Sequence, residues 1–366
     1  MEGIRHRSNI LFDREEIISI GHRNFKDKKI LFVLPVMDAG GGANIIIDES
    51  RAMRKMGVDV QIFNLKEYKT GFSQSYPKLD VPVTYGKKED LETLGKNFDA
   101  VVASAYYSVD WLLPLNNKEN SPTLGYYIQD YEPMMFPIGS DESEKAKASY
   151  ILINNLKCFT KTNWNAETLL KETVVKASVV GKSVNIDLYR PRKSIEYGIK
   201  PVTVVAMIRP SSPYRNPEFT LSVLKEISKK FGKNVDIWLF GTHDLRDSYP
   251  SELLNFKWRQ LGKLNQYQVA SLLSHADIFT DFSVYQAMGL TSLEAMACGC
   301  SVIVPQMGGS KEFVHHFKNG MVVDTSNFGD CFESLEELIQ NDNLRIELQI
   351  TRSEERRVGK ECRSRW

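Results

Sequence analysis

Short, unbroken apolar runs alternate along this chain with longer segments of helical periodicity. Ile30–Leu34 is the first such run, as expected for a strand covered on both faces in a parallel sheet. It ends at Pro35 and leads through Asp38 to a glycine triplet, Gly40–Gly42. Ala43 to Met56 then carries Ile46, Ala52, Met53 and Met56 at helical spacings. Val58–Phe63, Phe98–Ser104 and Thr123–Ile128 predict further strands, and Cys158–Thr160 and Ser178–Val180 predict shorter ones. This βα repeat predicts a Rossmann-like domain over residues 29–185, preceded by a polar N-terminal extension, residues 1–28. The pattern changes in GKSVNIDLYRPR (181–192), and residues 186–200 read as an interdomain linker. Val202–Ile208 restarts a buried strand. Helix Glu218–Lys230, strand Asp236–Phe240, helix Gln266–His275, strand Asp277–Phe282 and strand Ser301–Pro305 follow. Helices Cys331–Gln340 and Leu344–Thr351 close a second doubly wound domain, residues 201–351.

Composition narrows the picture. A chain of 366 residues with 42% hydrophobic and 25% charged residues has ordinary globular chemistry, and its length favours two domains. A formal charge of +1 gives no electrostatic reason to expect nucleic acid. No apolar run is long enough to span a bilayer, and the start lacks a signal-peptide core. The five cysteines are odd in number and scattered, which reads as a reducing, cytoplasmic setting. No Asp-x-Asp is present, and Cys298 and Cys300 lack other ligands nearby in sequence, so no metal is expected. Residues 352–366, RSEERRVGKECRSRW, have no apolar face and match what a common sequencing-library adapter spells in translation. They read as a non-native tail on a truncated second domain.

One stretch dominates the chemistry: SVYQAMGLTSLEAMACGCSVIVPQMGGSKEFV, residues 283–314. A small-residue helix opens at Gly289 and contains Glu294. The strand Ser301–Pro305 follows at once, then the Gly308-Gly309 turn. Free N–H groups at such a helix start, from Gly289, Leu290 and Thr291, suit a phosphate, and a carboxylate one turn in suits a sugar hydroxyl. Arg209 stands just after a strand and Arg215 six residues later, so two cations sit at one sheet edge. Gly40–Gly42 can bring backbone N–H groups to a phosphate or sugar. It is a poor dinucleotide fingerprint, because Ile45 occupies the third glycine position and no acid follows the second strand, which argues against a nicotinamide dehydrogenase.

The 283–314 stretch resembles the donor-site signature of retaining GT-B glycosyltransferases, glycosyltransferase family 4. That family carries two glutamates around such a helix; Glu294 matches the second, Glu312 matches the glutamate after the glycine pair, and Gln286 stands where the first is usual. The resemblance implies a GT-B fold, two Rossmann-like doubly wound domains facing across a cleft, with nucleotide sugar held by the second. It implies that Arg209 and Arg215 hold the donor diphosphate, Glu294 the ribose and Gln286 the sugar, with Gly41 and Gly42 contributed by the first domain. YYIQDYEPMMFP (126–137) is similar to a subgroup of rhamnosyltransferases, the WsaF type. That likeness assigns Gln129, Asp130 and Glu132 to sugar hydroxyls, Gln129 and Asp130 as catalytic groups, Tyr131 to stacking, and dTDP-rhamnose as donor. The implied activity is sugar transfer with retention to an oligosaccharide or lipid-linked glycan, without a metal or bound cofactor, in surface glycan synthesis, with peripheral association at the inner membrane face allowed. A GT-B-fold sugar-nucleotide epimerase or a non-catalytic sugar-binding protein is the alternative. Tyr106-Tyr107 could line an acceptor or close the core, and His315-His316 reads as a surface pair on a helix.

Overall fold

The computed structural model describes residues 15–116, 121–192 and 201–358. The chain divides into two compact units, the first running to Ser183 and the second starting at Val184.

In unit 1, residues 15–25 form helix α1. The strands are β1 (Lys29–Val33), β2 (Asp59–Leu65), β3 (Val83–Gly86), β4 (Ala100–Ala103), β5 (Thr123–Ile128), β6 (Lys157–Thr160) and β7 (Ser178–Val179). Helices α2 (Gly41–Lys55), α3 (Lys69–Ser75), α4 (Asp90–Gly95), α5 (Tyr106–Val109), α6 (Asp141–Ser149) and α7 (Asn163–Thr173) lie between them. The sheet order is β3-β2-β1-β4-β5-β6-β7, and every pairing is parallel. Central β1 pairs on both sides, Ile30 opposite Val60 and Ala100. Burial on both faces is why it reads as a continuous apolar run. Helix α2 turns Ala43, Ile46, Ile47 and Ser50 inward, a helical stripe.

Unit 2 repeats the plan with β8 (Val202–Met207), β9 (Val235–Phe240), β10 (Arg259–Gln260), β11 (Ile278–Thr280), β12 (Ser301–Pro305) and β13 (Met321–Val323). Its helices are α8 (Pro217–Phe231), α9 (Gln266–Leu273), α10 (Leu290–Cys298), α11 (Phe328–Gln340) and α12 (Asp342–Val358). The order is β10-β9-β8-β11-β12-β13, again parallel throughout. Strand alternation sorts the side chains into two cores. Val202, Val204, Ala206, Ile237, Leu239 and Ile303 face α8 and α11 residues. Val205, Phe240, Val302 and Val304 face α9 and α10 residues.

Three expectations change. Part of the N-terminal extension is helix: α1 lies so close to the end of α2 that a Cβ at Gly21 would meet Met56 Sδ at 2.5 Å. The start of the supposed linker belongs to unit 2, because Val184, Leu188 and Tyr189 are apolar and pack into its core, Tyr189 being 2% exposed. The final helix continues past Thr351 to Val358 in its backbone. Short edge strands β3, β10 and β13 escaped notice because two to four residues carry little periodicity.

Unit 1 also buries an ion pair. Lys161, after β6, is 2% exposed and Glu49 of α2 is 3% exposed; they bond directly. Glu49 also accepts from Tyr127 Oη at 2.8 Å, and Lys161 Nζ donates to Ser183 Oγ at 2.7 Å. The pair thus fastens Ser183, where the chain passes to unit 2. Removing one partner strands a buried charge. Lys161→Met is expected to cost about 3–5 kcal/mol in denaturant unfolding. Lys161→Met with Glu49→Leu should recover most of that loss; a loss under ~1 kcal/mol in the single variant would show the pair to be solvated.

Candidate functional site

Strand order in unit 2 reverses between neighbours β8 and β11: the chain leaves β8 toward β9 and leaves β11 toward β12. Loops at such a point run apart, and this is where ligands enter open α/β sheets. Arg209 and the 210–216 segment follow β8, and residues 281–289 follow β11.

Arg209 and Arg215 are half-buried and form no ion pair with a described residue. Burial pushes the Arg209 pKa down, and the positive charge of Arg215 pushes it further. Arg215 Nε is buried and makes no hydrogen bond. Its guanidinium lies over the Tyr214 ring, 5.4 Å from the centroid. Tyr214 stacks on Tyr285 at 5.4 Å, and the Tyr214 carbonyl accepts the Val284 N–H at 2.8 Å. The Arg215 turn is thereby joined to the segment carrying Gln286.

Gln286 is buried, 7% exposed. Its N–H donates to Met307 O at 3.3 Å and its carbonyl accepts from Gly309 N at 2.8 Å. Gly308 makes that approach possible. It has φ +116°, and a Cβ there would lie 2.0 Å from Gln286 O, so no side chain fits. Gly289 closes the segment with φ 78° as the cap of α10. Leu293 N–H bonds back to Gly289 O at 3.1 Å, and the N–H groups of Leu290, Thr291 and Ser292 come before any intrahelical partner. Ser292 is fully buried and its Oγ makes no hydrogen bond. Glu294, one turn in, is buried, and Glu312 ends a short 3-10 turn, Ser310–Glu312.

Unit 1 reverses its order between β1 and β4. Gly41 and Gly42 are not a loop; they are the first residues of α2, and Gly40 is its cap. The structure brings Gly42 beside Gln129, whose Cγ lies 3.5 Å from where a Gly42 Cβ would sit. Gln129 Nε2 is buried and without a hydrogen bond. Asp130 is buried next to it.

Glu132 turns out to be structural. Oε2 accepts the Tyr106 N–H at 2.8 Å and Oε1 accepts the Tyr126 hydroxyl at 2.7 Å, while the Glu132 N–H donates to Tyr150 Oη at 3.1 Å. It anchors the start of α5. Tyr131 is likewise buried and stacks on Tyr150, not on a ligand face. Tyr107 Oη donates to Pro35 O at 3.2 Å, so it ties α5 to the end of β1. His315 and His316 are not helical; they precede the 317–319 turn, His316 bridges to Gly320, and His316 Nδ1 accepts the Val322 N–H at 3.0 Å. No described group of three or more His, Cys, Asp or Glu is placed to hold a metal ion. No described helix is long and apolar enough to cross a membrane.

Sequence reading missed Asp281, Ser283, Tyr214 and Tyr285, all of which support the Gln286 segment. A weak signal existed, since each lies within a few residues of a strand end.

Residues 192–353 match the family described as Glycosyl transferases group 1. An uncharacterised glycosyltransferase of Methanocaldococcus jannaschii is 31% identical over 115 residues, 30% of this chain and 29% of that protein. The O-antigen biosynthesis protein RfbC of Myxococcus xanthus is 24% identical over 61% of this chain and 17% of its own length. This chain therefore spans less than a third of either curated relative. Among solved structures, TarM of S. aureus superposes with a TM-score of 0.74 at 12% identity, covering 91% of this chain and 97% of that one. HepE of Anabaena superposes with a TM-score of 0.69 at 17% identity, covering 89% and 95%. The fold is GT-B, and the match to the group 1 glycosyltransferase family falls within its second unit.

The environment of Glu132 makes one testable demand. Desolvation pushes its carboxyl up from 4.5 to about 7; the Tyr106 and Tyr126 bonds pull down, and Asp130 pushes up. The unfolded chain releases this proton first. Stability from this site is therefore full below pH 4.5 and is lost as pH rises to about 7. The stability of wild type relative to Glu132→Gln should fall by about 3 kcal/mol across that window. Parallel pH profiles in urea unfolding would contradict the burial of this charge.

Proposed function

We propose that this protein is a retaining glycosyltransferase of family 4 type that moves a sugar from a nucleotide diphosphate donor to a glycan acceptor. The observation that carries the reading is the Arg209–Arg215 pair. Two half-buried guanidiniums without an anionic partner among the described residues, at the point where the sheet order reverses, call for a doubly charged anion. A diphosphate supplies that charge and also accepts the N–H groups of Gly289, Leu290 and Thr291. In this reading Glu294 takes the ribose hydroxyls and Gln286 meets the sugar. Within unit 1, Gly41, Gly42, Gln129 and Asp130 are assigned to sugar contacts, and the buried, unbonded Gln129 Nε2 supports a polar ligand there.

The sugar C1–O bond to phosphate breaks as the acceptor oxygen bonds C1 on the same face. The acceptor's proton passes to the departing phosphate oxygen. The arginines stabilise the charge that develops on that phosphate. The chemistry assigns no metal, since the guanidiniums and helix dipole take its electrostatic part.

RfbC is named for O-antigen synthesis, and HepE structures hold UDP with glucose, which supports a nucleotide-sugar donor and a surface glycan product. dTDP-rhamnose remains our assigned donor, on the QDYEP string at 129–133. Glu132 in that string is accounted for by folding, so UDP-glucose belongs beside dTDP-rhamnose in the donor test.

Arg209→Ala and Arg215→Ala should each lower turnover by about 10²-fold or more, with a smaller effect on donor affinity. Full turnover in both would sink the diphosphate assignment. Product formation should also survive excess EDTA; a strict requirement for Mg²⁺ or Mn²⁺ would overturn the metal-independent mechanism. Release of free nucleotide with no sugar transferred to any acceptor glycan would favour a hydrolase or epimerase on the same fold.

A further inference from the structure

Between β11 and α10, three polar side chains stand in series. Asp281 Oδ1 accepts the Ser283 N–H at 3.1 Å and also accepts the Ser283 hydroxyl. Ser283 Oγ in turn accepts from Gln286 Nε2 at 3.0 Å. A hydroxyl has one proton, and here it is directed at the Asp281 carboxylate. Its lone pairs therefore face position 286, where only a donor fits. The neighbouring backbone holds the series in place. Thr325 Oγ1 donates to Ser283 O at 2.8 Å, and Met307 and Gly309 fix Gln286 on both sides of its peptide.

We propose that Asp281 and Ser283 are positioning residues that orient the Gln286 amide, so that its carbonyl Oε1 is the group presented to the donor sugar. The inference rests on the reading of Gln286 as a sugar contact. Position 286 then offers the sugar a neutral acceptor, and the amide nitrogen is spent internally. A carboxylate at 286 would set two carboxylates against one hydroxyl proton. An amide at 281 relieves that conflict: its neutral oxygen keeps the Ser283 N–H, and the Ser283 hydroxyl is released to donate to a carboxylate at 286. The hydroxyl proton would then point to 286 instead of 281.

The test is a double-mutant cycle on the full chain, read by thermal unfolding and by calorimetric binding of UDP, UDP-glucose, dTDP and dTDP-rhamnose. Gln286→Glu alone should lower Tm by about 5 °C. Asp281→Asn alone should cost little, since its amide oxygen still accepts from Ser283. Adding Asp281→Asn to Gln286→Glu should restore more than half of the lost Tm. Ser283→Ala should weaken the sugar-dependent part of affinity, nucleotide sugar against free nucleotide, by about 10-fold, with free-nucleotide binding unchanged. A Gln286→Glu cost that is the same with Asp or Asn at 281 overturns the proposal. Rescue of Tm with unchanged sugar-dependent affinity in Ser283→Ala supports the series but overturns the sugar contact. Wild type that binds none of the four probes overturns the nucleotide-sugar reading beneath, while the Tm cycle still decides the series.

Discussion

A parallel sheet whose strand order reverses leaves two hydrogen-bonded neighbours whose outgoing loops must diverge, and both units are organised around that constraint. In unit 2 the neighbours are β8 and β11, and two polar segments leave their carboxyl ends. The Arg209–Arg215 segment follows one strand, and the Asp281–Gly289 segment follows the other. Helix α10 starts from the second loop, so its free N–H groups open at the same edge. In unit 1 the neighbours are β1 and β4. Ser104 Oγ donates to Val33 O at 2.7 Å, and Tyr107 bonds Pro35 O, so this end is drawn tight beside the start of α2.

The treatment of buried polar groups separates folding from chemistry. Glu49, Lys161 and Glu132 are fully committed to internal partners, and each pins elements that are distant in sequence. Burial at such cost is tolerated because each of these groups finds hydrogen-bond partners inside the fold. Arg209, Arg215, the Ser292 hydroxyl and the Gln129 amide follow the opposite rule. They are held in buried or half-buried places with donor capacity left over. Unmet donors of this kind cost stability, and a ligand that accepts from them recovers the loss. The contrast places Glu132 with the groups committed to folding and sets the arginines apart from it.

The backbone around Gln286 shows how closely the edge is built. Gly308 at φ +116° lets a second loop touch the Gln286 carbonyl, and Gly289 at φ 78° lets α10 begin against Ser310. Neither position tolerates a Cβ without displacement of backbone or of a buried side chain. These two glycines set the position of the amide before any ligand arrives, and the stacked Tyr214 and Tyr285 carry the same rigidity to Arg215.

The sequence by itself determined the long parallel strands, because burial on both faces forces runs such as ILFVL and VTVVAMI to be apolar without interruption. It also determined the small-residue helix at Leu290, the glycines that cap and flank it, and the pairing of two arginines after one strand. Tertiary structure alone decided which polar residues are bonded inside the fold. QDYEP reads as four equivalent polar or aromatic candidates, yet Glu132 is bound by Tyr106 and Tyr126, residues 26 and 6 positions away. Only the folded sheet brings those partners together. The same holds for Lys161 and Glu49, 112 positions apart. The Asp281–Ser283–Gln286 series is local in sequence but has no periodic signature, since its direction depends on where one hydroxyl proton points. Periodicity records which faces are buried; the direction of a hydrogen bond is fixed by three-dimensional neighbours, and that is where this site is defined.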